Sequence, residues 1–104
     1  MIINATSPRT SDAYPVQNPI FSVQAYGNTT SGSGAAQFKV WGSNSTSASV
    51  PWIPVCTIDI PLTTSVSGDG AVVEFSWKYV KLELVSISGT GAIVSALGNG
   101  NYLT

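Results

Sequence analysis

Histidine is absent from this 104-residue chain, cysteine occurs once, and charge is confined to four Lys or Arg and five Asp or Glu. Each shortage excludes a class of chemistry. Without histidine, a serine nucleophile has only Lys39, Lys78 or Lys81 as a base, and no motif sets one of them beside a particular serine. Zinc and iron sites lack their usual donors. The acids Asp12, Asp59, Asp69, Glu74 and Glu83 show no pairing of the kind that glycoside hydrolysis requires. The expectation is a non-enzymatic protein with no catalytic residue, no metal and no cofactor. A single cysteine cannot form an intrachain disulfide, and Cys56 sits in an apolar run, where it reads as a small buried hydrophobe. Arg9, Lys39, Lys78 and Lys81 are scattered among acids, which predicts no nucleic-acid partner. No apolar run approaches the roughly 20 residues of a spanning helix, and no basic stretch leads into an apolar one at the N-terminus. The reading is therefore no membrane partner and synthesis in a reducing cytoplasm.

What is present is surface and stiffness. Ser and Thr fill 25 positions and Gly ten, and between them run short strings of Val, Ile, Phe, Trp and Tyr. A hydrophobic fraction of 43% with 9% charge is the opposite of a disordered composition. A single domain of this length is the size of a small β-sandwich and buries roughly 65% of its unfolded surface, enough for one core. The pairs Gly32–Gly34 and Gly89–Gly91 lead into neither Gly-Lys-Ser nor a helix, so they read as turns and not as phosphate loops.

Along the chain, residues 1–19 read as an extended N-terminal arm, with Pro8, Pro15 and Pro19 fixing φ and removing donors. Residues 20–104 read as the sandwich domain. From Ile20 the apolar period is two: Phe21, Val23 and Ala25 alternate with Ser22, Gln24 and Tyr26. Gly27 to Gly34 reads as a flexible turn region, and Ala36, Phe38 and Val40 as the inner face of a second strand. A Ser-, Asn- and Thr-rich loop over 43–49 precedes a third strand, with Cys56, Ile58 and Ile60 on one face. Pro54 marks that strand as an edge or a bulge. A fourth short strand holds Val73 and Phe75 at its inner positions. The fifth places Val80, Leu82 and Leu84 inward, and Lys81 and Glu83 outward. Ser88-Gly-Thr-Gly91 reads as a hairpin turn into a sixth strand over 92–97, before a short tail with Tyr102 and Leu103. Ser31-Gly-Ser-Gly and Ser88-Gly-Thr-Gly echo each other, as two hairpins in equivalent places would. No window shows helical spacing with caps. The fold class is all-β, a single antiparallel, jelly-roll-like β-sandwich with the extended arm.

The aromatic residues divide by alternation. Tyr26 and Trp41 fall on outward positions, where they serve an interface or line a second wall, whereas Trp52 and Trp77 are expected in the core. With three lysines in all, strand edges have little protection, and a formal net charge of −1 gives weak repulsion between copies. A homo-oligomer, trimer or dimer, is the expectation. Its contacts are assigned to Ile2, Ile3, Tyr14, Pro15, Val16 and Ile20 of the arm and its exit, with Tyr26 and Trp41 on the body.

Two stretches carry a resemblance. Phe38-Lys-Val-Trp-Gly-Ser-Asn44 with Trp52-Ile-Pro-Val, and Trp77-Lys-Tyr-Val-Lys-Leu82, resemble strands of galactose-binding-like (discoidin) jelly rolls. The chain is about a third shorter than that family and lacks its front portion, so sugar-binding loops do not carry over. Over roughly residues 20 to 97 it is more similar to small virion proteins of tailed bacteriophages. That resemblance implies a β-sandwich on the outer surface of the phage particle. Its partner would be the major capsid protein or another virion protein, as for a capsid decoration (cement) protein. The other implied role is a tail- or fibre-associated module with a host glycan as partner.

Overall fold

The computed structural model describes residues 2–16, 20–74 and 77–99, of which 20, 21, 71–74 and 99 through the backbone alone. Among them nine strands form two antiparallel sheets: β1 (Ile2–Ala5), β2 (Arg9–Thr10), β3 (Tyr14–Pro15), β4 (Ile20–Asn28), β5 (Ser31–Ser43), β6 (Ile53–Leu62), β7 (Ser67–Glu74), β8 (Tyr79–Thr90) and β9 (Ile93–Asn99). One sheet runs β1-β9-β4-β7; the other runs β2-β8-β5-β6, with β3 also on β8. β2 pairs at Glu83 and Leu84 and β3 at Tyr79 and Val80, so the two are one interrupted strand along the same edge of β8. Apart from the β5–β6 pair, each step along the chain then crosses from one sheet to the other. This is the two-sheet, eight-strand arrangement of a jelly roll.

The alternation seen in the sequence places the core. Ala36, Phe38 and Val40 of β5, Ile58, Ile60 and Leu62 of β6, and Val80, Leu82 and Leu84 of β8 face Val23, Ala25, Val94 and Ala96 of the other sheet, all buried. The short dimension of the molecule, 17 Å, accommodates two sheets about 10 Å apart. Small side chains on the four-stranded side (Ala25, Ala96, Ala92, Ala5) sit against large ones on the five-stranded side, which lets the layers approach.

Three sequence expectations change. The arm is extended, but along 2–16 it belongs to this chain's own sheets. β1 pairs with β9, and Ser11 acts as a ladder residue of β8. Its N–H donates to Leu82 O at 2.8 Å and its Oγ accepts from Leu82 N–H at 2.9 Å. The turn region over 27–34 shrinks to Thr29 and Thr30. Thr29 is buried, and its Oγ1 donates to Gly32 O at 2.8 Å, which closes the corner between sheets. Ser88-Gly-Thr-Gly91 is not a hairpin: β8 continues to Thr90, and the chain then crosses to the other sheet with Gly91 at φ 63°. The echo between the two Gly-Ser strings reflects adjacency. Ser31 pairs with Thr90 and Ala35 with Ser88, so the strings lie side by side at one end of the sandwich. Gly34 is required there, because a Cβ would meet Ser88 O at 2.0 Å.

The expectation for Pro54 holds on both counts. β6 is an edge of its sheet, and the register slips beside Pro54, from Val40 opposite Cys56 to Trp41 opposite Pro54. Pro19, Phe75, Tyr102 and Leu103 lie outside the described residues.

Candidate functional site

The outer faces of the two sheets are the surfaces on which a function can be built, and they differ in chemistry. On the five-stranded sheet, β5 and β8 alternate Lys39, Trp41, Lys81 and Glu83 outward, with Lys39 opposite Glu83 and Trp41 opposite Lys81. The Trp41 Nε1–H donates to Glu83 Oε1 at 2.9 Å. Lys39 Nζ lies 5.6 Å from the Trp41 ring, and Lys81 Nζ lies 4.5 Å from the Trp52 ring. At the neighbouring register Gln37 Nε2 donates to Asp59 Oδ1 at 3.0 Å. The face is a lattice of cross-strand bonds and cation–π contacts in which the charges are spent on their neighbours.

Trp52 joins this face instead of the core. Counted by period two from Cys56 and Ile58 it belongs inside, but the bulge at Val55 advances the register by one and turns every residue before it to the other side. Trp77 does pack on the core, as expected.

The outer face of the four-stranded sheet carries Tyr26, Gln24 and Ser22 from β4, and Ile93, Ser95 and Leu97 from β9. Beside Tyr26 and Gln24, β7 contributes Gly68 and Gly70. At the other side β1 bulges between Ile2 and Ala5, with Asn4 at φ 49° and its N–H donating to Ser95 Oγ at 2.9 Å. Ile3, which alternates outward from Ile2, is 52% exposed; Ile93 and Leu97 stand at 39% and 40%. Among the described side chains none on this face is charged; by register Glu74, opposite Ile20 at the end of β7, takes an outer-face position. Asp69 alternates to the opposite side of β7, between the two glycines.

The residues assigned to an interface separate accordingly. Ile3 and Tyr26 come together on the neutral face. Ile2 is corrected: it is 2% exposed and fills the chain's own core, because it stands opposite Ala96 on the inner side. Tyr14 and Val16 are half-buried against the same core, and Pro15 is exposed opposite Tyr79. Ile20 pairs with Glu74 at the start of β4, and its side chain lies outside the described residues. Trp41 is on the other sheet, bonded as above. The sequence reading missed Ile93 and Leu97, although their alternation with Val94 and Ala96 carried the signal.

Two open hollows flank the sandwich. One, of about 420 Å³, lies at the corner where β8 crosses to β9, among Thr6, Thr30, Ile87, Gly89, Gly91 and Ile93. The other, of about 370 Å³, lies between β1 and the β2–β3 edge, among Ile3, Arg9, Thr10, Asp12 and Tyr14. No group of three or more His, Cys, Asp or Glu side chains gathers among the described residues. Burial pushes the Cys56 thiol up from its ordinary pKa, which keeps it protonated at neutral pH.

Compared with protein-family models, with curated proteins and with solved structures, the chain matches none. The likeness to virion proteins and to galactose-binding-like jelly rolls thus rests on the residues quoted for it. In the fold those residues are neighbours: Ser43 pairs with Tyr79 and Trp41 with Lys81, and Asn44 Oδ1 accepts from Lys78 N–H at 3.1 Å.

Proposed function

We propose that this chain is a non-enzymatic assembly protein that binds through the outer face of its four-stranded sheet. Its role would be that of a decoration protein clamping neighbouring subunits of a phage capsid. The observation that carries the reading is the apolar cluster on that face. Ile3, Ile93 and Leu97 are exposed beside Tyr26 with no described charge among them, on a molecule whose other face holds its charges in internal bonds. Contiguous exposed apolar surface on a stable domain is the physical mark of a contact site. Tyr26 supplies the aromatic anchor common at the energetic centre of interfaces. Jelly rolls serve in viral shells and in lectins alike, so the fold is compatible with the role and does not choose it.

A carbohydrate-binding role would use the tryptophans of the five-stranded sheet. Lysines lie over both rings there, and a sugar would have to displace them before stacking. The neutral face is favoured for that reason.

The test is occupancy on purified particles. Contact through uncharged surface depends weakly on ionic strength. Particles washed in high salt are expected to retain the protein, and particles exposed to Tyr26→Asp protein to remain bare while Trp41→Ala protein still binds. Release at modest ionic strength, or loss of binding for Trp41→Ala alone together with a positive glycan array, would reject the reading.

A further inference from the structure

A β-sandwich presents four strand edges, and stable monomers blunt them with proline, bulges, lysine or short broken strands. Three edges of this molecule are treated in that way. β1 is four residues long and carries the bulge with Asn4 at positive φ. β2 and β3 are two residues each, with Pro8 before them and Pro15 within. β6 carries Pro54, Pro61 and the bulge at Val55. The fourth edge, β7, is different. It runs eight residues, Ser67-Gly-Asp-Gly-Ala-Val-Val-Glu74, in unbroken register with β4, and contains neither proline nor lysine; the one edge-blunting feature it carries is Asp69, on the inner side opposite Ala25. No described strand pairs with its outer side.

We infer that β7 is a strand-pairing site and that its occupant is β7 of a second copy, antiparallel across a two-fold axis normal to the sheet. Such an axis keeps the outer face of each sheet on the same side, so residues opposite one another must share a face. The two registers with greatest overlap place Gly70 opposite Gly70 or Ala71 opposite Ala71. The first sets Asp69 opposite Ala71. The second sets Asp69 opposite Val73 and Glu74 opposite Gly68. In neither does an acid meet an acid, the opposition that would forbid self-pairing. The formal net charge of −1 leaves little further repulsion to overcome. Pairing of identical edges closes the assembly, because it leaves neither copy with an open β7. It also joins the two four-stranded sheets in the order β1-β9-β4-β7-β7-β4-β9-β1, one eight-stranded layer whose outer face is continuous on one side, with Glu74 of each copy as the charged position on it by register. The prolines and bulge of β6 deny the second sheet the same extension. The inference rests on the edge and not on what the face binds, so it stands or falls separately from the decoration role.

Residue-resolved hydrogen exchange and light scattering on the unmodified chain, from about 1 µM to about 1 mM, test it. Successive N–H groups of a strand point to opposite sides. Alternate amides of 67–74 are therefore expected to be slow at every concentration, through β4. The intervening amides should become slow only as the scattering mass rises from 10.8 kDa toward twice that value. Of Val72→Pro and Val73→Pro, one removes a donor to β4 and lowers Tm; the other faces the free edge, stays folded and remains at monomer mass. A mass fixed at 10.8 kDa throughout, concentration-dependent protection at β1 or β6 in place of β7, or a dimer that persists in the folded proline variant would each overturn the inference. The exchange experiment decides the matter even if neither variant folds.

Discussion

The two outer faces of this sandwich are built from the same alternating pattern and end up chemically opposed. On the five-stranded sheet, Lys39, Lys81 and Glu83 lie over or beside Trp41 and Trp52, and the face is satisfied within the molecule. On the four-stranded sheet, Ile3, Ile93 and Leu97 stand out beside Tyr26 and the glycines of β7, and nothing described in the chain covers them. The difference teaches that scarcity of charge is not spread evenly. Nine-tenths of the residues are neutral, and Lys39, Lys81 and Glu83 gather with the tryptophans on one sheet, leaving Ile3, Ile93, Leu97 and Tyr26 of the other without a described charge beside them.

The comparison can be broken from the middle, where both faces share a core. Phe38→Ala removes the largest fully buried side chain among the described residues and is expected to cost about 3–5 kcal/mol in urea unfolding, weakening both faces together. An effect near zero would mean that the two sheets do not pack as one body. Next in size is the neutral face. Tyr26→Asp should leave the melting curve close to that of the parent while weakening partner binding at least about tenfold, ~1.4 kcal/mol, as titrated on particles. Equal loss from Trp41→Ala would erase the distinction between the faces.

On the charged face, Trp41→Phe keeps most of the ring and deletes the donor to Glu83. A charge-assisted bond at a half-buried site should cost about 1 kcal/mol of stability, with no change in association. Lys81→Gln, which uncovers Trp52, should cost about 0.5 kcal/mol and shift the tryptophan emission. The smallest effect belongs to Cys56. Its thiol pKa is raised by burial, so alkylation at pH 8 should run slower in the folded chain than in urea. A thiol held neutral stabilises the fold below its ordinary pKa, and that contribution is lost as pH rises through the raised value. A folded chain alkylated as fast as the unfolded one would place Cys56 outside the core margin.

Much of the body was legible from period two alone. The inward sets at 36–40, 58–60 and 80–84 are the core, because a half-buried sheet leaves no other arrangement for such alternation. Pro54 announced its edge and bulge because proline cannot donate to a ladder. Trp52 was not legible. A single inserted residue at Val55 reverses the face of everything before it, and Pro54 marks an edge or a bulge alike, so the reversal could not be counted from the sequence. Ile2 and Ile3 were read alike, yet alternation alone sends one into the core and the other to solvent, and the bulge at Asn4 then returns Ala5 to the inside.

By itself the sequence determined the class of molecule: an all-β chain with one core. Local periodicity and composition suffice for that, since they depend on each residue and its near neighbours. Only the tertiary structure decided which strands meet, that the two Gly-Ser strings lie side by side, that Lys39, Lys81 and Glu83 gather with Trp41 and Trp52 on one face, and that β7, alone of the described edges, runs in unbroken register without proline or lysine. Those outcomes arise from long-range pairing and from bulges that shift register, and both are set by how the two sheets close over a shared interior.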